Sequence, residues 1–325
     1  MRILVIGGAG YIGSHMVKLL QQSDCFIVVL DNLSNGYRDA LSNTELVIGS
    51  VNDAKLLKSL FDQYQFDAIV HFASFIQVGE SIFHPIKYYN NNFVATMTLL
   101  NAMQEAGITR LIFSSTAAIF GHPVYIPIDE NHQKFPINPY GKSKWMVEQV
   151  LEDYDYAYGL KSVCLRYFNA AGADSGGQLG ERHEPETHLI PLVLQAASNR
   201  REGISVFGSD YDTPDGTCIR DYVHVSDLCD AHLLALHHLM TDGESARFNL
   251  GNGEGFSVKN VIETVENVTG QQIVIDYQAR REGDPARLIA DSTKIRQQLG
   301  WEPKRSSLSI IIQDAWRWEQ KYPWR

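Results

Sequence analysis

The sequence predicts an α/β protein: a doubly wound parallel sheet followed by a smaller C-terminal α/β domain. Three observations carry this. Short apolar runs alternate with helical patterns through the first half. A glycine-rich turn, Gly7-Gly8-Ala9-Gly10-Tyr11-Ile12-Gly13, lies between the first such run and the first helical pattern. After about residue 170 the alternation becomes irregular. Alternating strand and helix signals imply βαβ units and parallel pairing.

The strand signals are Arg2–Ile6, Phe26–Asp31, Glu45–Ile48, Phe66–His71, Arg110–Ser114 and Lys161–Arg166. Several are mostly apolar without alternation, as expected of strands covered on both faces. The helical patterns between them are Ile12–Gln22, Ala54–Tyr64, Asn90–Ala106 and Tyr140–Ala157. Ala173–Glu186 is rich in glycine and charge and reads as a loop. Residues 1–170 therefore form the predicted first domain and 171–325 the second, with a soft boundary that the chain can cross more than once. The tail around Trp316 and Trp318 has the pattern of an amphipathic helix with packing tryptophans.

The chain has 325 residues, 44% of them hydrophobic and 20% charged, which supports a large core and excludes wholesale disorder. Its net charge of −10 argues against nucleic-acid binding but not against a polyanionic small ligand held by local arginines and helix N-termini. The four cysteines form no C-x-x-C pair and read as free thiols of a reducing compartment. The N-terminal apolar run is too short for a signal peptide, and no run approaches the length of a membrane span, so a cytoplasmic protein with no membrane partner is expected.

The glycine turn has the context of a Rossmann dinucleotide site. Gly7 permits the tight turn, Gly10 admits a pyrophosphate, and Gly13 lets the helix pack on the sheet. Asp31 ends the second strand 18 residues after Gly13 (31 − 13). An acid there accepts ribose hydroxyls and repels a 2′-phosphate, favouring NAD over NADP. The polar loop Asn32-Leu33-Ser34-Asn35-Gly36 suits the ribose.

Tyr140 and Lys144 lie four residues apart after Pro139, so they share one face at a helix start. A nearby ammonium favours a phenolate, which would let Tyr140 act as a base. Alone, such a spacing is common by chance and fits a surface pair. Here Phe113-Ser114-Ser115-Thr116 precedes it at a strand end, where doubly wound sheets bind ligands, so Thr116 can supply a hydroxyl beside Tyr140.

Glycine turn, strand-end Ser/Thr and Tyr–Lys pair, in that order, are the signature of the short-chain dehydrogenase/reductase superfamily. Within it the chain resembles the UDP-glucose (UDP-galactose) 4-epimerases nearly end to end. The resemblance includes Gly7–Gly13, Asp31-Asn32-Leu33, His71-Phe72-Ala73, Val78-Gly79-Glu80-Ser81 and Tyr88-Tyr89-Asn90-Asn91-Asn92. It continues through Ser114–Ala118, Pro139–Lys144, Leu165–Asn169, Asp215–Val225 and Arg280–Asp284.

The resemblance implies that Tyr140 is the base, that Lys144 binds the nicotinamide ribose and tunes Tyr140, and that Thr116 completes the set. It implies NAD contacts from Gly7, Gly10, Tyr11, Ile12, Gly13, Asp31, Asn32, Leu33, Asn35, Gly36, Phe72, Ala73, Asn91 and Phe168. Thr116, Tyr140, Asn169, Leu189, Phe207, Arg220, Arg281, Asp284 and Leu288 would hold the UDP-hexose. It also implies a homodimer. Three positions depart from the family: Ser50 replaces an acid near adenine, Ile76 replaces a lysine, and His188 replaces a diphosphate-region asparagine.

The implied chemistry oxidises the sugar at C4, turns the 4-keto sugar over and reduces its other face. Related dehydratases need an acid immediately after the strand-five Ser/Thr; here Ala117 and Ala118 offer no carboxylate. Leu288 stands where the resemblance places a residue beside the sugar C2 substituent. A tyrosine there accompanies plain hexoses, so leucine implies that N-acetylated UDP-hexosamines are also accepted; a leucine that only packs in the core, with another side chain filling the space, leaves a hexose-only epimerase instead. A non-catalytic NAD-sensing regulator is a second reading, set against the retained Tyr–Lys pair. A metal enzyme is a third. The histidines, including His183, His188, His224, His232, His237 and His238, form no standard ligand spacing, so no metal is expected.

Overall fold

The computed structural model describes residues 1–281 and 284–322. Glu282 and Gly283, within the Arg280–Asp284 motif, lie outside the described residues. In chain order the first half runs β1 (Arg2–Ile6), α1 (Tyr11–Leu20), β2 (Phe26–Asp31), β3 (Glu45–Ile48), α2 (Ala54–Tyr64) and β4 (Ala68–His71). Then come α3 (Val78–Phe83), α4 (Pro85–Tyr88), a π-helical segment Tyr89–Val94, α5 (Ala95–Ala106), β5 (Arg110–Thr116), a 3₁₀ turn Ala117–Ile119, α6 (Pro139–Tyr158) and β6 (Lys161–Tyr167).

The second half contains β7 (Asn169–Ala171), α7 (Leu189–Ala197), β8 (Ile204–Phe207), β9 (Ile219–Arg220), β10 (Tyr222–His224), α8 (Val225–Met240) and β11 (Ala246–Leu250). It ends with β12 (Phe256–Ser257), α9 (Val258–Thr269), β13 (Ile275–Gln278), β14 (Arg287–Leu288), α10 (Thr293–Leu299) and α11 (Leu308–Lys321).

The main sheet has seven strands in the order β11-β6-β5-β4-β1-β2-β3, all parallel. The order reverses between β1 and β4, opening a crevice at their carboxyl ends, the place where such sheets bind ligands. Two apolar layers cover the sheet. One packs α1, α8 and α10 against Ile3, Val5, Val29 and Val70. The other packs α2, α5 and α6 against Leu4, Ile6, Ile69 and Leu111.

The chain returns to this sheet after residue 170. β11 pairs with β6 (Phe248↔Leu165), α8 shares the core of α1, and Trp301 is fully buried there. The remaining second-half elements enclose their own core, in which α7, α9 and α11 meet around Val193, Val261 and Ile311.

Besides shifts of one or two residues at the ends of elements such as α1 and β5, two differences from the sequence pattern have a visible cause. β4 begins at Ala68, where its pairing with Ile3 begins, and Phe66 packs in the core outside the strand. The helical pattern Asn90–Ala106 is interrupted, because its first turns are π-helical. Asn92 turns inward there and bonds both backbone groups of Phe75, which satisfies the loop after β4. Among the described residues no helix is long and apolar enough to cross a membrane, and all four cysteines are free thiols.

Candidate active site

The glycine turn is built for a ligand as well as for packing. Gly7 adopts φ +77°, and a Cβ there would lie 2.5 Å from the Ala73 nitrogen. A Cβ on Gly13 would lie 2.2 Å from the Gly7 carbonyl, so helix and turn can meet only over glycine. Gly10 differs: a Cβ would meet nothing nearer than the Gly7 oxygen at 3.4 Å. The chain's own packing does not require glycine at position 10, whereas an approaching pyrophosphate does. Gly10 is the N-cap of α1 and has no side-chain partner for the helix N–H groups. These features fit a dinucleotide phosphate.

Asp31 sits at the end of β2 and is buried. Its two oxygens accept the N–H groups of Ala9 (2.9 Å) and Leu33 (2.8 Å), and burial pushes its carboxyl above the usual range. It therefore ties the glycine turn to the loop that follows β2. Asn32 accepts the Ser34 N–H, Leu33 takes φ +57°, and Gly36 packs against Ala9 and Asp31. Asn35 is exposed at the tip. Ser50 accepts the Asn52 N–H within its turn.

Tyr11 and Ile12 open α1. The Tyr11 phenol donates to the Gly172 carbonyl at 2.7 Å. Burial, then the charge of Glu181, holds it well above its ordinary value. Phe72 and Ala73 continue β4, each with its N–H on the Ile6 carbonyl, and the Phe72 ring lies 4.8 Å from that of His232. Asn91 donates to the buried Asn92, which in turn donates to Ser143 on α6. The π-helical segment thus braces the helix that carries Tyr140.

Asn138 caps α6 through the Gly141 N–H at 2.8 Å, and Pro139 fills its first position. Gly141 lets the helix meet the Ala118 carbonyl, which a Cβ would approach to 2.5 Å. Tyr140, Lys144 and Thr116 are all buried. Burial raises the Tyr140 phenol, and the Thr116 side chain opposes it by favouring the phenolate. The Lys144 ammonium donates to the Ser114 carbonyl at 2.8 Å and lies 4.7 Å from the centre of the Phe113 ring. Burial brings it down to about 7. The lowering of Tyr140 by Lys144 that the spacing suggests is therefore not what governs the phenol; desolvation of both groups outweighs it.

Several positioning residues were not legible as such in the sequence. Glu148 and Arg166 form a buried bidentate pair (3.0 and 2.6 Å) that fastens α6 to β6, joined by the Ser115 hydroxyl. His232 donates through Nδ1 to Leu228 and meets the Ser114 hydroxyl at 3.4 Å through Nε2. Its imidazole is brought down to about 4 by burial. Asp221, fully buried, gathers the N–H groups of Asn252, Gly253 and Ala290.

Of the residues expected to hold the UDP-hexose, Arg220, Asp284 and Leu288 meet at the β9–β14 pairing. Asn169 donates its side-chain amide to the Asp221 carbonyl at 2.8 Å. Leu189 begins α7. Arg220 pairs with Asp284 at 2.6 Å and also donates to the Pro285 carbonyl. The Arg281 guanidinium lies 3.8 Å over the Phe207 ring. Leu288 sits opposite Arg220 in the β9–β14 pairing and packs in one small apolar cluster with Ala117, Phe168 and Trp145. That leucine therefore links the strand carrying Arg220 to the turn just beyond Thr116.

A family model described as GDP-mannose 4,6 dehydratase matches residues 4–313. The UDP-glucose 4-epimerase of Halalkalibacterium halodurans is 52% identical over 323 residues, covering 99% of this chain and 97% of the relative. The crystal structure of UDP-glucose 4-epimerase from Brucella ovis in complex with NAD is 45% identical, with a TM-score of 0.96 over 98% of both chains. The UDP-Glc/GlcNAc 4-epimerase of Campylobacter jejuni is 44% identical, with a TM-score of 0.87 over 99% of both chains. With half of its residues identical to such an enzyme over nearly its whole length, the chain belongs to the UDP-glucose 4-epimerase family.

Proposed function

We propose that this chain is an NAD-dependent 4-epimerase that interconverts UDP-glucose and UDP-galactose through a 4-keto sugar, and that it also accepts UDP-N-acetylglucosamine and UDP-N-acetylgalactosamine. The observation that carries the reading is the buried set Thr116, Tyr140 and Lys144 at the carboxyl edge of the sheet, followed by Ala117 and Ala118. Ala117 packs among apolar side chains, and the Ala118 carbonyl faces Gly141. No carboxylate stands there to remove a second proton, as 4,6-elimination requires. The set therefore supports oxidation and return at C4 in preference to dehydration.

In this reading NAD, when bound, supplies reversible hydride exchange at C4. Gly10 and the N-terminus of α1 would hold its pyrophosphate, and Asp31 with its loop would hold the adenosine ribose. Lys144, fixed by the Ser114 carbonyl, would hold the second ribose. Tyr140 takes the proton of the 4-hydroxyl and, after the 4-keto sugar has turned its other face to the hydride, returns it to the same oxygen, with Thr116 holding the phenol. The Thr116 hydrogen bond favours the phenolate against the desolvation that raises it. Arg220 and Arg281 grip the UDP diphosphate, since guanidinium binds phosphate oxygens bidentately. Arg220 is held ready by Asp284.

The sugar is held more loosely, and leucine at 288 leaves an apolar wall for an acetamido group. The Campylobacter jejuni relative is named for both UDP-Glc and GlcNAc, which supports this extension. We further infer a two-part organisation, with the dinucleotide on residues 1–170 and the UDP-sugar mainly on 171–325. We also infer a homodimer, a cytoplasmic location and a role in galactose metabolism. The test is incubation of the purified protein with UDP-galactose and, separately, UDP-N-acetylglucosamine, with products resolved by chromatography. UDP-glucose and UDP-N-acetylgalactosamine are the expected products; absence of both would end the reading.

A further inference from the structure

The stretch between β7 and α7 contains no helix or strand, yet it gathers four side chains with metal-binding atoms. Glu181, His183, Glu186 and His188 each offer one such atom, all within 4.8 Å of one another. His183 Nδ1 lies 3.3 Å from Glu181 Oε1 and 3.6 Å from Glu186 Oε1. His188 Nδ1 contacts the same Glu181 oxygen. The two imidazole rings stand at 90° with centroids 5.3 Å apart.

The two separations from His183 match a known geometry, and His188 needs only to draw back from Glu181 to join it. With metal–ligand distances of about 2.0–2.2 Å, the donors of a tetrahedral site lie about 3.3–3.6 Å apart. Two imidazoles and two carboxylates suit zinc better than magnesium or calcium, which take oxygen-only shells of six or more. The cluster is also braced from outside. Glu186 accepts the N–H groups of Thr187 and His188, and the Trp318 indole donates to the Glu181 carbonyl. Such outer bonds orient ligands in metal sites. The Glu181 side chain is 6% exposed and the Glu186 side chain equally so. Two carboxylates are thus held together away from solvent, and a dication offsets both charges with the imidazoles neutral.

We propose that Glu181, His183, Glu186 and His188 form a tetrahedral site for one zinc-class divalent cation. Three of the four, Glu181, His183 and Glu186, line the cleft that Tyr37 and Gly172 also line. Tyr37 donates its N–H to Ala9 of the glycine turn, and Gly172 receives Tyr11. The ion fastens the loop to the N-terminus of α7, beside the dinucleotide turn.

The test uses the full chain with its cofactor bound and any affinity tag removed. It is dialysed into metal-free buffer, titrated with zinc chloride, and its metal content is measured by mass spectrometry. One zinc per chain, retained through dialysis, is expected. A His183→Ala/His188→Ala double variant should raise the dissociation constant by at least about 100-fold, while His84→Ala should leave it unchanged. Cobalt(II) in the native protein should give the intense visible absorption of four-coordinate cobalt. This reading stands even if the double variant fails to fold. Failure to retain zinc, unchanged stoichiometry in a folded double variant, or the weak absorption of six-coordinate cobalt would each overturn the proposal.

Discussion

The Lys144 ammonium donates to the Ser114 backbone carbonyl at 2.8 Å, while the hydroxyl of that same serine meets His232 Nε2 at 3.4 Å. The lysine is thus positioned by main chain, and the serine side chain serves the core.

This division predicts opposite outcomes for two neighbouring substitutions. Ser114→Ala keeps the carbonyl and should leave turnover near native, at a stability cost of about 1 kcal/mol for one neutral hydrogen bond. Lys144→Met should lower turnover and cofactor retention by about one to two decades, the worth of a charge-assisted bond. Steady-state kinetics and the NAD released on denaturation measure both. Equal losses in the two variants would show that the serine hydroxyl acts in the site.

The glycine turn separates packing from binding. Gly13→Ala drives a Cβ to 2.2 Å from the Gly7 oxygen, and such overpacking costs about 1–3 kcal/mol. Its thermal midpoint should fall. Gly10→Ala meets only a 3.4 Å contact, so its stability without cofactor should stay within about 1 kcal/mol of native. Its NAD affinity should drop by an order of magnitude or more. Melting curves with and without added NAD distinguish the two effects, and a Gly10→Ala protein that binds NAD normally would place the pyrophosphate elsewhere.

Leu288 is the expected gate for the acetamido group. Native kcat/KM values for UDP-N-acetylgalactosamine and UDP-galactose should be comparable. Leu288→Tyr should selectively reduce the acetylated substrate, by about tenfold or more. Native rejection of the acetylated sugar by several decades would mean that Phe168 and Trp145, packed with Leu288, already close the space.

Acid stability should depend on Asp314. Burial alone would raise this carboxyl, but bonds from His224 and Arg305 outweigh burial and hold it at about 2, against an ordinary 3.8. A depressed carboxylate contributes stability that is present above its unfolded value and lost as pH falls through its folded value. The contribution, on the order of 1–2 kcal/mol, should therefore be full above about pH 4 and vanish toward pH 2. Asp314→Asn should lower stability at neutral pH and flatten that acid dependence. Denaturant titrations at several pH values measure it, and an unchanged slope would remove Asp314 from the acid transition.

What the sequence made legible is local. Gly7 through Gly13, Asp31, and the Tyr140–Lys144 spacing each carry their meaning within one turn or one strand end, and the structure brings them to the same edge of the sheet. What it hid is long-range. Glu148 and Arg166 are 18 residues apart and meet only because α6 packs on β6. β11 returns 79 positions after β6 ends (246 − 167) to complete the sheet. The π-helical turn at Tyr89–Val94 carries an ordinary helical pattern; only the docking of Asn92 on Phe75 distinguishes it. The four side chains around Glu181 share no standard motif because an irregular loop, not a helix face, gathers them. Lys144 shows the same limit in energetic form: its spacing from Tyr140 was readable, but the burial that dominates both groups was not.

Reversible oxidation at C4 without elimination keeps the C4 hydrogen on C4. UDP-galactose carrying deuterium at C4 is incubated with the purified protein, and the product is analysed by nuclear magnetic resonance and mass spectrometry. The expected product is UDP-glucose with the deuterium still at C4, formed about 10²–10⁴-fold more slowly by Tyr140→Phe. Release of the deuterium to water, or its appearance at C6 of a 4-keto-6-deoxy sugar, would contradict it.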